Sequence, residues 1–140
     1  MTRGQEVHAA TFIRRRLIVL DRALLTRRSE LHRILIHELF HFAWVRLGNG
    51  LRRQYEAAVR EEIRSRARGE LGWSAEMRKK ALAERSGRIW REYVCESFCD
   101  TAAWLYSGVR KHEEFTLARR FRKRRAAWFR TAFAGRPVDV

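Results

Sequence analysis

Residues 34–45 read Ile34-Leu35-Ile36-His37-Glu38-Leu39-Phe40-His41-Phe42-Ala43-Trp44-Val45, bounded by Arg33 and Arg46. Only His37, Glu38 and His41 in this run are clearly polar. A helix that is apolar all round is a buried core helix, and polar groups inside one need partners. The spacing suggests the partner. His37 and His41 are four residues apart, one turn on the same helix face, so both imidazoles can reach one ion, as tetrahedral zinc requires. Glu38 is rotated by about 100° from His37. From there it reaches a water at the metal rather than the metal itself. The alternative is a chance match among ordinary core histidines, which the apolar setting disfavours.

The rest of the chain bounds this reading. At 140 residues it forms one domain, 1–140, long enough to bury a core without disulfide staples. An apolar content of 46% excludes a disordered chain. The apolar stretch at 7–13 is short, contains His8 and runs into Arg14, Arg15 and Arg16, which is not the pattern of a signal peptide. No apolar run approaches the length of a membrane span. The expectation is a soluble, cytoplasmic protein with no membrane partner. Cys95 and Cys99 fall in one predicted helix, poorly placed to bridge each other, and read as small buried hydrophobes rather than redox or metal groups. The net charge of +15 favours nucleic acid, anionic lipid or acidic proteins as partners. A solvated arginine-rich surface explains the same number.

Working outward, 7–13 and 17–20 read as two short strands, a hairpin without an Asn-Gly turn. Asp21 closes the second, and residues 23–25 are an apolar link. Ser29 is the predicted cap of the central helix, which runs to about 47 and stops at Gly48-Asn49-Gly50. A second helix, 51–68, carries Leu51, Tyr55, Ala58 and Ile63 at helical spacing, with Glu56–Arg60 and Glu62–Arg66 as pairs on its wet side. After a break at 69–73, Ser74 is predicted to cap a third helix to about 85. A fourth spans 88–106. A fifth, 113–133, has Phe115, Ala118, Phe121, Trp128 and Phe129 as its packing stripe and Arg119, Arg122 and Arg125 as solvated faces. The fold class is mainly α (α+β), a helical domain with a small N-terminal β element.

A zinc site needs a third protein ligand, and a catalytic one keeps a fourth position for water. A metzincin would place a glycine three residues past His41 and a histidine six past it; this chain has Trp44 and Leu47 there. The other source is a carboxylate on a later helix. Glu92, Glu96 and Asp100 recur every four residues, along one face, between apolar or small neighbours. For Glu92 the simpler reading is pairing with arginine, since Arg88 lies four residues before it. For Glu96 and Asp100 the metal reading is preferred: Glu96 can bind the ion, and Asp100 can orient His37, because a metal-bound histidine usually donates its other ring N–H to a carboxylate.

His37-Glu38-Leu39-Phe40-His41 followed by Glu96-Ser97-Phe98-Cys99-Asp100 resembles the gluzincin pattern, HExxH plus a distal ExxxD. That pattern is shared by thermolysin-like, Ste24-like and minimal single-domain zinc peptidases. The resemblance implies a zincin-like metallopeptidase domain acting on a peptide or protein substrate, with Zn2+ held by His37, His41 and Glu96. It implies Glu38 as general base and Asp100 as the acid that holds the first histidine. It covers two helices, not the whole chain, and 55 residues separate His41 from Glu96, more than in thermolysin. A helical hairpin inserted at 51–85 accounts for the difference. The family's oxyanion-stabilising Tyr or His is where the match ends; Tyr93 and His112 are the candidates, and a core tyrosine with a satisfied hydroxyl is the alternative for Tyr93. His8 and His32 read as surface or helix-start residues.

Two other readings stay open. The chain is a basic helical module for nucleic acid or an acidic partner, resting on the charge and on Phe121, Trp128 and Phe129 interleaved with the arginines of the fifth helix. Or it is a domain with a closed, structural metal site, which chelation would unfold.

Overall fold

A computed structural model describes residues 9–84 and 87–140. Residues 1–8, and residues 85 and 86 where the expected third helix ends, lie outside them. Two helices place every group of interest: α1, Arg28–Arg46, and α4, Gly87–Tyr106. They run antiparallel, because His37 meets Asp100 and Glu96 while His41 meets Glu96 and Cys95. The more enclosed of the two is α4, not α1. Nine α4 residues are buried, from Tyr93 through Ala103, whereas Ile34, Leu35, Ile36 and Leu39 of α1 are only half-buried and Val45 is exposed. The reason is what covers each helix. α4 touches α1, α2 (Asn49–Arg64), α3 (Trp73–Lys80) and α5 (Arg119–Ala132), while α1 beyond its α4 seam is covered mainly by a small hairpin and a short 3₁₀ turn at Arg22–Thr26.

The hairpin pairs β1, Ala9–Phe12, with β2, Leu17–Leu20, in register Ala9↔Leu20 to Phe12↔Leu17. It reverses through four residues, with Arg16 at positive φ, so the missing Asn-Gly signal belongs to a longer loop type. The core between the helices is largely aromatic. Phe98 stacks on Phe129 with centroids 5.1 Å apart, Trp44 lies 4.9 Å from Phe98, and Trp128 lies 4.9 Å from Tyr55, all within the range where ring pairs attract.

Several local expectations are corrected. Neither Ser29 nor Ser74 caps a helix: the residues preceding α1 and α3 are Arg27 and Gly72, and neither end has a side-chain cap bond. The fifth helix begins at Arg119 rather than 113. Its expected first turn is instead a loop whose Thr116 and Leu117 amides donate to the Glu70 carbonyl at 2.8 and 3.0 Å. That loop packs so closely on Gly69, at φ +81°, that a side chain there would overlap the Thr116 backbone; both facts require glycine.

The largest correction concerns charge. Glu62 and Arg125, expected on wet faces, are 2% and 1% exposed and face each other. Arg125 donates from Nε and Nη2 to Glu62 at 3.0 and 2.7 Å, from Nη1 and Nη2 to Glu70 at 2.9 and 3.0 Å, and from Nη1 to Thr101 at 3.1 Å. All five guanidinium N–H groups are thereby used. Tyr93 adds its hydroxyl to Glu70 at 2.6 Å, and Lys79 approaches Glu70 at 3.5 Å. Burial pushes the Glu70 carboxyl up, but the charge and hydrogen bonds of Arg125, with Lys79 and the Tyr93 hydroxyl, together outweigh it and hold Glu70 below its ordinary value.

Candidate metal centre

α1 and α4 bring the expected ligands together across their seam. Glu96 Oε2 lies 3.0 Å from His37 Nε2, and its Oε1 lies 3.6 Å from His41 Nε2. Two ligands about 2.0–2.1 Å from a tetrahedral ion lie roughly 3.4 Å apart, so these separations bracket the edge of such a coordination shell. The two imidazoles stand edge to face, centroids 5.1 Å apart. A ligand atom from each of His37, Glu38 and His41 also falls within 4.8 Å of the others.

The outer contacts have the character of a support for those ligands. Asp100 is 2% exposed and accepts from His37 Nδ1 at 2.6 Å, which turns Nε2 toward Glu96. Its other oxygen accepts from the Ala75 amide at 3.0 Å. Gly72 stands against it so tightly that a Cβ would overlap the carboxyl group. The pinned Asp100 has nowhere to go, so the small residue before α3 is what lets that helix close over the site. Ser74, instead of capping, donates to Glu96 Oε2 at 2.8 Å, and Arg78 donates to Ser74 Oγ at 3.2 Å. Glu38, 8% exposed, receives the Thr11 hydroxyl of β1, which also donates to the Glu38 carbonyl at 3.2 Å. Sequence reasoning missed Thr11 and the true task of Ser74. Ser74 carries no local signal that separates a cap from a long-range donor, and a threonine in a strand reads as a strand residue.

Cys99 is a fully buried core residue, as expected, while Cys95 is half-buried at the edge of the core and faces the site. Cys95 Sγ lies 3.6 Å from His41 Nδ1, so the outer nitrogen of the second histidine faces a thiol. The hydrogen bond from Cys99, and next His41, bring the Cys95 thiol down to about 6 against the opposing effect of burial. Both thiols are free. His41, Cys95 and Cys99 form a second group with metal-ligating spacing, which shares His41 with the first through the other ring nitrogen.

Tyr93 is not brought to this site with a usable hydroxyl. It is fully buried and its O–H is spent on Glu70. Glu70, by its charge, adds to burial in pushing the phenol well above its ordinary value. His112 goes elsewhere too, donating from Nε2 to Glu30 at 2.7 Å and accepting the Glu114 amide at Nδ1. His32 is exposed, as expected. Glu92 pairs loosely with Arg88 and Arg78 at 3.5 and 3.8 Å, the arginine pairing preferred for it. The aromatic residues of α5 turn inward: Phe121 and Phe129 are buried and Trp128 packs on the core, so they offer no stacking surface to a nucleic acid.

No protein-family model matches this chain, and neither a curated protein nor a solved structure does so significantly.

A cation bound at the candidate site would compete with protons. Burial pushes His37 down, but Asp100 and then Glu96 outweigh it and hold the imidazole well above its ordinary value of 6.5; His41 is raised in the same sense. Burial pushes Glu96 up, yet His37 and His41 bring it to about 2. In chelated protein the imidazole contribution to stability is complete below pH 6.5 and is lost as pH rises through the raised values. The Glu96 contribution is complete above pH 4.5 and is lost as pH falls toward 2. Thermal melts in EDTA are expected to peak between those limits, pH 4.5 to 6.5. Added zinc is expected to stabilise most on the alkaline side, because a metal needs neutral imidazoles and releases their protons on binding. A melting temperature in EDTA that climbs steadily from pH 6.5 to 9 would contradict these assignments.

Proposed function

We propose that this chain is a zinc-dependent hydrolase, a small gluzincin-like metallopeptidase. The observation that carries the reading is the convergence of Glu96 on both imidazoles of the HExxH helix, with Asp100 behind His37. The donor set of two nitrogens and one carboxylate oxygen suits zinc and matches the protein ligand set of catalytic rather than closed structural sites. His37, His41 and Glu96 would hold the ion. Zinc bound there supplies Lewis acidity toward a carbonyl and lowers the pKa of water to about 7.

The chain's own residues do the rest. Asp100 fixes the His37 ring by accepting at Nδ1, so Nε2 stays unprotonated for the metal. Thr11 holds the Glu38 carboxylate, which takes the proton of the attacking water and returns it to the leaving amine. Ser74 keeps Glu96 turned toward the imidazoles.

The competing arrangement is a structural site on His41, Cys95 and Cys99. Elemental analysis paired with a peptide-library digest separates the two. About one zinc per chain and chelator-sensitive cleavage are expected, with the metal retained in Cys95→Ser and Cys99→Ser and lost in His37→Ala. Metal lost with the thiols but kept in His37→Ala would move the site to the cysteines. Full loading with no cleavage across the library would leave a structural metal domain.

A further inference from the structure

A second site lies at the other end of the α1–α4 seam. Trp44, one turn past His41, forms with Trp90 and Val94 of α4 the apolar wall of a cavity of about 320 Å3, near the lower bound for small-molecule pockets. The same lining also carries Arg52 and Arg53 from the start of α2 and Arg91 from α4. These arginines are not equivalent. Arg52 is committed, donating to the Trp44 and Val45 carbonyls at 2.9 and 3.0 Å and to Asn49 at 2.5 Å. Arg53 and Arg91 are exposed, and among the described residues neither has an ion-pair partner. The single acid in the lining, Glu56, is already held by Trp90 Nε1 at 2.8 Å and Arg60 at 2.9 Å.

Two indoles and two unpaired guanidinium groups around one small cavity form a pair of complementary surfaces. An indole face takes a flat ring by stacking. A guanidinium takes a phosphate through paired N–H donors. The lining carries three arginines against one glutamate, an excess of two charges that matches a phosphate monoester, whose charge is about −1.5 to −2 at neutral pH. Trp90 already carries the Arg60 guanidinium over its ring, 4.6 Å from the centroid, so a ligand ring has the remaining indole surface to stack on; a carboxylate side chain of a peptide would satisfy one arginine and bring no ring to it. We propose that this cavity binds an aromatic phosphate monoester of the nucleoside monophosphate class, its ring against Trp44 and Trp90 and its phosphate on Arg53 and Arg91. Such a group is supplied by a free mononucleotide or by the phosphorylated end of a single strand.

Calorimetric titration of the zinc-loaded chain with AMP, adenosine, inorganic phosphate and a 5′-phosphorylated trinucleotide tests this. AMP is expected to bind at least about ten-fold more tightly than adenosine or phosphate alone, and Arg53→Ala with Arg91→Ala to weaken it by about ten-fold or more, one such step being 1.4 kcal/mol. Both arginines are exposed and bind no metal ligand, so an unchanged melting temperature and zinc content are expected in the variant. The trinucleotide arm distinguishes the sources: binding equal to AMP points to a strand end, and AMP alone to the free nucleotide. AMP no tighter than phosphate, or unaffected by the double substitution, overturns the proposal. Neither outcome touches the hydrolase reading, which is scored by metal content and cleavage.

Discussion

Glu38→Gln is expected to leave the zinc content unchanged and to lower peptide hydrolysis by about 10²–10⁴-fold, the usual contribution of a positioned general base. The two side chains have nearly the same shape, and the Thr11 hydroxyl that now donates to the Glu38 carboxylate can donate to an amide oxygen instead. What the amide cannot do is accept a proton and pass it on. The proposed ligands, His37, His41 and Glu96, are untouched, so the loss should fall on turnover while metal content and melting temperature stay close to the parent. The experiment also discriminates within the site, because Glu38 has a carboxylate oxygen within ligating range of both histidines. If the variant loses its metal together with its activity, Glu38 is a ligand rather than a base. If it keeps both, water activation lies elsewhere and the proposed mechanism fails.

How much of this was legible in the sequence depends on the range of the contacts involved. The helix pair was readable because its signals are local: four-residue spacing in an apolar run fixes which side chains share a face, for His37 and His41 as for Glu96 and Asp100. That the two faces meet across 55 residues was an expectation from chemistry, the need of buried carboxylates for a cation, and the structure brings them to 3.0 and 3.6 Å. The errors share one origin. Glu62 and Arg125 sit at positions where an amphipathic pattern defaults to solvent, and only pairing across 63 residues turns them inward. Glu70 carried no periodic signal at all, lying in a loop. Ser74 had the composition of a cap but is the second residue of α3, where a long-range acceptor, Glu96, takes its hydroxyl. Helix boundaries failed where a loop backbone found partners elsewhere, as residues 116 and 117 did on Glu70.

Arg125→Met is expected to cost about 3–5 kcal/mol of folding stability, the range for breaking a buried ion pair by removing one partner. For a chain of this size that corresponds to a fall in melting temperature of roughly 10–20 °C. The cause is not a lost attraction alone. Glu62 and Glu70 are 2% and 0% exposed, and without the guanidinium they become two neighbouring buried carboxylates with Lys79 as the remaining cation near Glu70. One of them must then take up a proton, so the variant should be least impaired at low pH, the opposite of a simple packing defect. Adding Glu62→Gln and Glu70→Gln to Arg125→Met should recover most of the loss, because it removes the uncompensated charge. The effect also reaches the metal centre by a defined route: Tyr93 and Thr101, which tie α4 to this network, flank Glu96 and Asp100 on the same helix. Arg125→Met should therefore lower the melting temperature in EDTA and in zinc alike, whereas Asp100→Asn should mainly abolish the zinc-dependent increment. Urea midpoints of both variants with and without metal measure that difference. A drop of less than about 1 kcal/mol for Arg125→Met, against the expected range, would mean that Arg125 is not what holds the two buried carboxylates in the folded protein.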